Sequence, residues 1–271
     1  MNALERTMVD ALKDLKENHH VAGIKAEFEA EGTRLEEALR LKEVVTRAGL
    51  DLTIKIGGCE ALKDMYDARS IGVTRIVAPM IESAYALKKY LGAAKMAFPK
   101  DEIADVSLLI NVETRSAVKT FDEMLELENL GELDGIVLGR VDLTGSLDLT
   151  RDDVNSEKIF EITKELFLKA KKKKMECVIG GGVSRASLPF FNRLPPGLLD
   201  RYETRKVLFQ CPGALGEKAP AGILKAVGFE LMWLKNKRNF YGCIYAEDEH
   251  RITMLESRYK KLIEEAGGKY E

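Results

Sequence analysis

Short runs of apolar, often β-branched residues alternate with longer helical stretches along most of the chain, at a repeat of roughly 25 to 35 residues. This repeat is typical of βα units that build a parallel sheet. Seven runs are predicted to be strands: 21–28, 52–56, 75–79, 106–112, 135–138, 176–179 and 206–209. Two parallel architectures fit such a chain, the closed eight-stranded barrel and the open doubly wound sheet.

The turn after the first strand favours the barrel. An open sheet binds a nucleotide at its first glycine-rich turn, whereas residues 29–33 contain no GxGxxG sequence. We therefore predict an α/β fold, a (β/α)8 TIM barrel in a single domain over residues 1–271, although no clear eighth strand is visible. The Gly-Gly-Gly sequence at 180–182 lacks the Lys-Ser/Thr of a P-loop and is interpreted as a tight βα turn.

Both ends of the chain depart from the repeat. Residues 1–20 carry Leu4, Met8, Leu12 and Leu15 at helical spacing and are predicted to form a leader helix. Residues 219–271 are predicted to form a C-terminal helical extension, with helical stretches at 219–237 and 248–266. The extension can act as a swapped or oligomer-forming helix or a lid, or it can be ordinary peripheral packing. A homo-oligomer is the expected assembly.

The charge balance argues against two classes of partner. Forty-two Lys and Arg against 44 Asp and Glu give a formal charge of −2, so the electrostatic basis for nucleic-acid binding is missing. No apolar run approaches the roughly 20 residues that span a bilayer, which predicts no membrane partner. The start lacks the pattern of a secretion signal, and the four cysteines are scattered without a CxxC pair, so a cytoplasmic protein with reduced thiols is expected.

In a βα barrel the polar residues that close the strands carry the chemistry, because the active site lies at the carboxyl ends of the strands. Side chains alternate along a strand, so Lys25 and Glu27 share one face of the first strand. Lys55 ends the second strand, and Glu113 shares a face of the fourth with Asn111. Several charges at strand ends predict a polar site, since an unpaired charge there is expensive to desolvate.

Two carboxylates stand one βα repeat apart. Glu113 and Asp142 are separated by 142 − 113 = 29 residues, which predicts that they lie on adjacent strands at the same rim. Two hard oxygen ligands suit Mg²⁺ or Mn²⁺, with water and substrate oxygens completing the octahedron. The alternative is an acidic rim in salt bridges with Arg115 and Arg140.

Three segments in order resemble a known family. Ile-Val-Ala-Pro-Met-Ile-Glu-Ser-Ala at 76–84, Leu-Ile-Asn-Val-Glu-Thr-Arg-Ser-Ala at 109–117 and Leu-Asp-Gly-Ile-Val-Leu-Gly-Arg-Val-Asp-Leu-Thr at 133–144 are similar to consecutive signatures of the HpcH/HpaI aldolase and citrate lyase β-subunit family. That family belongs to the phosphoenolpyruvate/pyruvate superfamily of βα barrels. The resemblance covers roughly residues 21–183.

The resemblance implies a carbon–carbon lyase or aldolase that acts on a pyruvate-like 2-oxo acid through a metal-stabilised enolate. Glu113 and Asp142 match the family's ligands for Mg²⁺ or Mn²⁺. Backbone amides of the turn from Gly139 through Arg140 to Asp142 match those that hold the substrate carboxylate. Lys55 stands where the family usually has arginine beside the ketone oxygen, so it is expected to supply the charge without the bidentate fork.

Other residues depart from the family pattern. The histidine base of metal-dependent members has no counterpart, since His19, His20 and His250 are not at strand ends. Lys25 and Glu27, with Glu29 behind them, are the substitutes that we expect to transfer protons.

The segment 202–206 matches no family motif. Its Arg205 can clamp a distal carboxylate or phosphate of the substrate, or it can form a salt bridge at the bottom of the barrel.

Two other functions stay open on the sequence alone. The segment from Gly139 to Leu143 also resembles the Arg-Gly-Asp-Leu turn of pyruvate kinases, which favours phosphoryl or C–P chemistry on phosphoenolpyruvate. The missing histidine and the lysine at position 55 favour a non-catalytic barrel that binds a metabolite.

Overall fold

The computed structural model describes residues 1–269 and divides them into two compact units. The first unit, Met1–Glu230, contains a closed barrel, and the second begins at Leu231. The single domain over 1–271 stays a prediction. In residues 1–269 there is no helix long and apolar enough to cross a membrane.

Eight strands close the barrel in sequential order, which confirms the predicted α/β barrel. Seven of them are parallel to their neighbours in sequence, from the first strand to the seventh. The strands are β1 (Val21–Glu27), β2 (Asp51–Lys55), β3 (Arg75–Ala78), β4 (Ser107–Val112), β5 (Gly135–Gly139), β6 (Glu176–Gly180), β7 (Arg201–Glu203) and β8 (Val207–Gln210).

The last strand runs in the opposite direction. β8 pairs antiparallel with both β7 and β1, so a short turn replaces the helix that a regular unit would place between β7 and β8. The three-residue β7 is the strand missing from the prediction, and the predicted run 206–209 is β8. Because β7 is parallel to β1–β6, its carboxyl end and the turn after it lie at the same rim as theirs.

Helices precede, separate and follow the strands along the chain. They are α1 (Ala3–His19), α2 (Leu35–Arg47), α3 (Leu62–Ile71), α4 (Ala84–Ala97), α5 (Lys100–Ile103), α6 (Arg115–Leu125), α7 (Arg140–Ser146), α8 (Glu157–Lys172), α9 (Leu188–Arg193) and α10 (Ala219–Glu265). α1 is the predicted leader helix, and its first turn is closed by a capping box of Asn2 and Glu5. The two predicted C-terminal helices are one continuous helix, α10, of 47 residues.

The barrel interior is apolar below the rim. Val77, Leu109, Val137 and Val178, from four consecutive strands, form one buried cluster. Local capping places the following helices, since the hydroxyl of Thr114 accepts a hydrogen bond from the Ala117 amide and so starts α6 directly after Glu113. The rigid strand ends and capped helices fix the positions of the polar residues between them.

Candidate active site

A cavity of about 440 Å³ opens at the carboxyl ends of the parallel strands. Charged side chains from β1, β2 and β7, from the segments after β1, β4, β5 and β7, and from α10 line its wall: Lys25, Glu27, Glu29, Lys55, Glu113, Asp142, Arg151, Glu203, Arg205 and Glu230. Val137 of the apolar cluster also lines it, so the cavity ends on the packed interior. The structure therefore brings together all the predicted strand-end charges at one rim.

Glu113 is the most deeply buried carboxylate of this rim, with 1 % of its surface exposed. Its Oε1 accepts a hydrogen bond of 3.1 Å from the Met80 amide, and its Oε2 accepts one of 2.6 Å from Nδ2 of Asn111. Burial raises the pKa of Glu113, and the charge of Asp142 raises it further, while Lys55 and the two hydrogen bonds oppose the rise. The carboxylate is thus held in position but lacks full compensation of its charge.

Gly139 makes room for this carboxylate. A Cβ atom at position 139 would lie 2.9 Å from Cβ of Glu113 and closer still to its Oε2. A side chain at the end of β5 is therefore incompatible with the present position of Glu113. Gly180 stands opposite Gly139 in the register of β5 and β6, and a Cβ there would lie 3.0 Å from Oε1 of Glu203.

Lys55 extends from the end of β2 between two carboxylates. Its Nζ lies 3.0 Å from Oε2 of Glu29 and 3.9 Å from Oε1 of Glu113. Burial alone would lower the pKa of Lys55, but Glu113, Glu29 and Glu27 outweigh it and raise the pKa. Lys55 is accordingly a charged ammonium group beside Glu113, which suits the stabilisation of a developing negative charge.

Asp142 lies in the first turn of α7 and is exposed where Glu113 is buried. Both side chains line the same cavity. In residues 1–269 there is no cluster of three or more His, Cys, Asp or Glu that could hold a metal ion. A metal at this rim would have to rely on these two carboxylates together with water or substrate oxygens.

A second charged group, on β1, lines the cavity next to Lys55, because Glu27 is the register partner of Lys55. Nζ of Lys25 lies 3.1 Å from Oε1 of Glu27 and forms an ion pair with Glu203. Burial alone would lower the pKa of Lys25, but Glu203 and Glu27 outweigh it and raise the pKa above its ordinary value. Lys25 therefore stays protonated, and the prediction that it acts as a base conflicts with its two carboxylate partners.

Of the two residues predicted to transfer protons, Glu27 is the remaining candidate for the base. Burial would raise its pKa, but Lys25, Lys55 and Arg205 together lower it. Glu27 is thus a carboxylate that can accept a proton directly from a substrate group, with Lys25 fixing its orientation. The residues that line the cavity, within 1–269, include no histidine.

The side chain of Arg140 does not face the cavity. It is fully buried, and its guanidinium donates to the carbonyls of Gly180, Gly181 and Val154 and to Oδ1 of Asn155. It therefore supports the loop after β6 and forms none of the rim salt bridges considered from the sequence.

Arg140 can contribute to substrate binding through its backbone amide alone, as the resemblance implied. Gly181, in the left-handed region at φ 75°, lies so close that a Cβ there would be 2.7 Å from the amide nitrogens of Arg140 and Val141. This contact explains why glycine is required in the tight turn that the sequence predicted at 180–182.

Arg205 lies in the turn between β7 and β8, at the mouth of the cavity. The alternative of a salt bridge at the bottom of the barrel is wrong, because β8 is antiparallel and its beginning is at the rim. Nε of Arg205 is 3.5 Å from Oε1 of Glu31, and about half of its side chain is exposed. Lys206, nearly fully buried, forms an ion pair with the same Glu31 and so anchors the turn to the loop after β1.

Sequence reasoning missed three charged residues of the rim, Glu203, Arg151 and Glu230 of α10. Glu203 was missed because β7 is too short for its alternation to be recognised. Arg151 lies in a 3₁₀ helix after α7, far from any strand end in sequence. The signal that could have located Glu203 is Gly180, because a glycine at a strand end marks the close approach of another group.

Comparison with known proteins gives one matching family and several solved structures of similar fold. The family model for HpcH/HpaI aldolase/citrate lyase matches residues 33–181. No curated protein sequence matches the chain.

Among solved structures, the chain is similar to an HpcH/HpaI aldolase from Desulfitobacterium hafniense DCB-2, at 13% identity and a TM-score of 0.56 over 68% of this chain and 77% of that one. It is also similar to an HpcH/HpaI aldolase/citrate lyase family protein from Burkholderia cenocepacia J2315, at 14% identity and a TM-score of 0.55 over 71% and 89%. A third is the citrate synthase SbnG, at 13% identity and a TM-score of 0.53 over 69% and 78%. At these identities the likeness is one of fold.

Proposed function

The chain belongs to the HpcH/HpaI aldolase/citrate lyase family, and from this premise we propose that it is a Mg²⁺- or Mn²⁺-dependent carbon–carbon lyase or aldolase that acts on a 2-oxo acid through its enolate. The observation that carries the proposal is the placement of Glu113, Asp142 and Lys55 around one cavity at the carboxyl ends of the strands. The family makes the chain an enzyme of the aldolase or lyase type. The metal, the 2-oxo acid and the residue roles are the proposed part.

The two carboxylates fit a divalent cation. Glu113 is buried with a raised pKa, and its nearest lysine is 3.9 Å away and closer to Glu29 than to Glu113. An ionised carboxylate has about four lone-pair sites, of which two are used by Met80 and Asn111. A dication at this position would supply the missing positive charge, and Mg²⁺ sites commonly use one or two carboxylates completed by water and substrate oxygens.

When bound, the metal supplies Lewis-acid polarisation of the 2-oxo group. The chain provides the remaining interactions around the substrate. The Lys55 ammonium donates to the oxygen that becomes negative in the enolate. The amides of Arg140 to Asp142, in the first turn of a helix and so without intrahelical partners, receive the carboxylate.

Proton transfer falls to Glu27, the register partner of Lys55 in the pairing of β1 and β2. Glu27 accepts the proton of the substrate hydroxyl during carbon–carbon cleavage and returns it during formation. Lys25, clamped between Glu27 and Glu203, holds Glu27 in place and keeps it ionised. Arg205 at the mouth, with Arg151, provides positive charge for a distal carboxylate, which favours a substrate acid with an anion at each end.

Hydrogen exchange at C3 of pyruvate tests the enolate step without knowledge of the full substrate. Purified protein with Mg²⁺ or Mn²⁺ in D₂O should exchange the methyl protons of pyruvate, followed by NMR. Glu113→Gln and Asp142→Asn should each abolish the metal-dependent exchange with the fold intact. Asp148→Asn, a change at an exposed carboxylate just after the same helix, serves as the matched control and should retain it.

Several results would contradict the proposal. Absence of exchange with every divalent metal tried, while pyruvate and metal still bind, would favour the non-catalytic barrel. Nucleotide binding by calorimetry would favour phosphoryl chemistry on phosphoenolpyruvate. Unfolding of Glu113→Gln and Asp142→Asn would give both carboxylates a structural role instead.

A further inference from the structure

One face of α10 carries a stripe of positions at alternating intervals of three and four residues, most of them occupied by exposed apolar side chains. From Leu231 onward the stripe consists of Leu231, Leu234, Arg238, Tyr241, Tyr245, Asp248, Ile252, Leu255, Tyr259 and Leu262. Leu231 and Leu255, near opposite ends of the stripe, are 52% and 53% exposed. A stripe of this length on an exposed helix marks a surface that binds another protein.

The spacing identifies the kind of surface. Apolar residues that repeat every 3.5 positions form the a and d seam of a left-handed coiled coil, whereas packing of a straight helix follows a period of 3.6. The stripe keeps the 3.5 period from residue 231 to residue 262 without a stutter. Its two polar members, Arg238 and Asp248, occupy an a and a d position.

These two charges determine the partner. Arg238 stands five positions before Cys243, since 243 − 238 = 5, and Asp248 stands five positions after it, since 248 − 243 = 5. We propose that a second copy of this chain covers the stripe as an antiparallel coiled coil. The two-fold axis crosses the seam at the level of Cys243 along the helix. In that register Arg238 meets the partner's Asp248, and by symmetry Asp248 meets the partner's Arg238.

Other positions of the seam agree with the same axis. Leu231 meets the partner's Leu255, Leu234 meets the partner's Ile252, and Tyr241 meets the partner's Tyr245. A surface in which residue i meets residue j and j meets i is the requirement for an isologous dimer.

A parallel arrangement is disfavoured by the same charges. In register, it would place Arg238 against the partner's Arg238 and Asp248 against the partner's Asp248, two like-charge pairs inside the seam. Parallel pairing would align flanking charges such as Arg251 with the partner's Glu256, but exposed pairs of this kind contribute little. The seam is also complementary in charge to a second copy of itself. A seam that bound an unrelated helix would have no reason to carry this symmetric pattern of charges.

Charge reversal in the full-length protein tests the seam. Sedimentation velocity over a concentration series should show a dimer or a higher even-numbered oligomer. Arg238→Asp and Asp248→Arg should each raise the dissociation constant of this dimer at least about tenfold, and the combined variant should restore it. Lys261→Glu, which lies off the seam at a c position, is the matched control and should leave the assembly unchanged.

Disulfide trapping tests the direction independently of other contacts between barrels. In a Cys243→Ser background, Leu234→Cys and Ile252→Cys together should give a covalent dimer on oxidation, whereas either change alone should not. Cross-linking by the single variants would overturn the antiparallel arrangement. The proposal would be overturned by a protein that is monomeric at all concentrations, or by a double charge reversal that does not restore the dimer. Circular dichroism distinguishes either result from misfolding, because a folded variant keeps its helix content.

Discussion

Replacement of Lys55 by methionine tests the proposed chemistry most directly. Methionine has a similar length and removes the ammonium group, while the barrel end keeps its apolar packing. Lys55 is nearly buried, between Glu29 at 3.0 Å and Glu113 at 3.9 Å. Its removal therefore acts on the negative charge of Glu113 and on any negative charge that develops on the substrate.

Two estimates give the size of the effect. Unit charges 3.9 Å apart attract by about 4 kcal/mol at an effective dielectric constant of about 20. Loss of one preorganised donor to a developing oxyanion typically costs ~10²–10³-fold in rate, about 2.7–4 kcal/mol. Because Lys55 shares its charge with Glu29, we expect a loss of ~10²-fold in kcat, with a smaller change in KM.

The pH dependence gives a second, independent readout. Lys55 opposes the rise in the pKa of Glu113 that burial causes, so Lys55→Met should raise that pKa further. A protonated Glu113 cannot serve as an anionic ligand. The acidic limb of kcat/KM for pyruvate exchange should therefore move to higher pH in Lys55→Met, and part of the lost activity should return as the pH rises.

Lys206→Met is the matched control, because it also removes a nearly buried, ion-paired lysine beside the rim. Lys206 differs from Lys55 in that it does not line the cavity. An equal loss of kcat in both variants would refute a specific role for Lys55. Lys55→Arg should retain part of the activity, since arginine is usual at this position of the family. Covalent trapping of substrate on Lys55 by borohydride would replace the enolate mechanism by a Schiff base.

Three further predictions concern the same rim. The raised pKa of Glu113 means that its ionised form destabilises the metal-free fold at neutral pH. With chelator present, the free energy of unfolding of Glu113→Gln at pH 7 should thus be larger than that of the wild type. The difference should vanish below the unfolded pKa of 4.5, where both side chains are neutral. Gly139→Ala should displace Glu113, abolish exchange and cost ~1–3 kcal/mol in thermal unfolding, whereas Gly145→Ala, which meets nothing within 4 Å, should not. Arg205→Met should raise KM for a dicarboxylic 2-oxo substrate by more than it raises KM for pyruvate, and equal increases would argue against a distal anion site.

The sequence predicted the barrel because most of its strands are apolar runs of four to seven residues separated by helices of regular length. Glu113 and Asp142 were found for the same reason, since each follows such a run. β7 has three residues, which is too few for a period of two to be recognised. Glu203 was lost with it, and the reversed direction of β8 is the reason why only the alternative for Arg205, a salt bridge at the bottom of the barrel, is wrong.

The C-terminal helix shows a different limit. The sequence was interpreted as two helical stretches, 219–237 and 248–266, and Arg238 and Gly242 lie in the segment between them. Helix formation is cooperative, so such residues are tolerated inside a long helix when the flanking turns are favourable. The same residues become informative once the helix is known to be continuous, because only then do Arg238 and Asp248 belong to one seam.

The glycines at the ends of β5 and β6 explain how one cavity holds two charged groups. The side chain of Glu113 lies over Gly139, and the side chain of Glu203 lies over Gly180. The two glycines are opposite each other in the register of adjacent strands. The two carboxylates therefore lie over adjacent strands and fill the space that side chains at positions 139 and 180 would need. Lys55 faces the first carboxylate and Lys25 pairs with the second, so each carboxylate has its own cation. Lys55 is placed to stabilise the enolate and Lys25 to keep Glu27 ionised, and because Glu27 is the register partner of Lys55 on the adjacent strand, we infer that enolate formation and proton transfer take place side by side in one cavity.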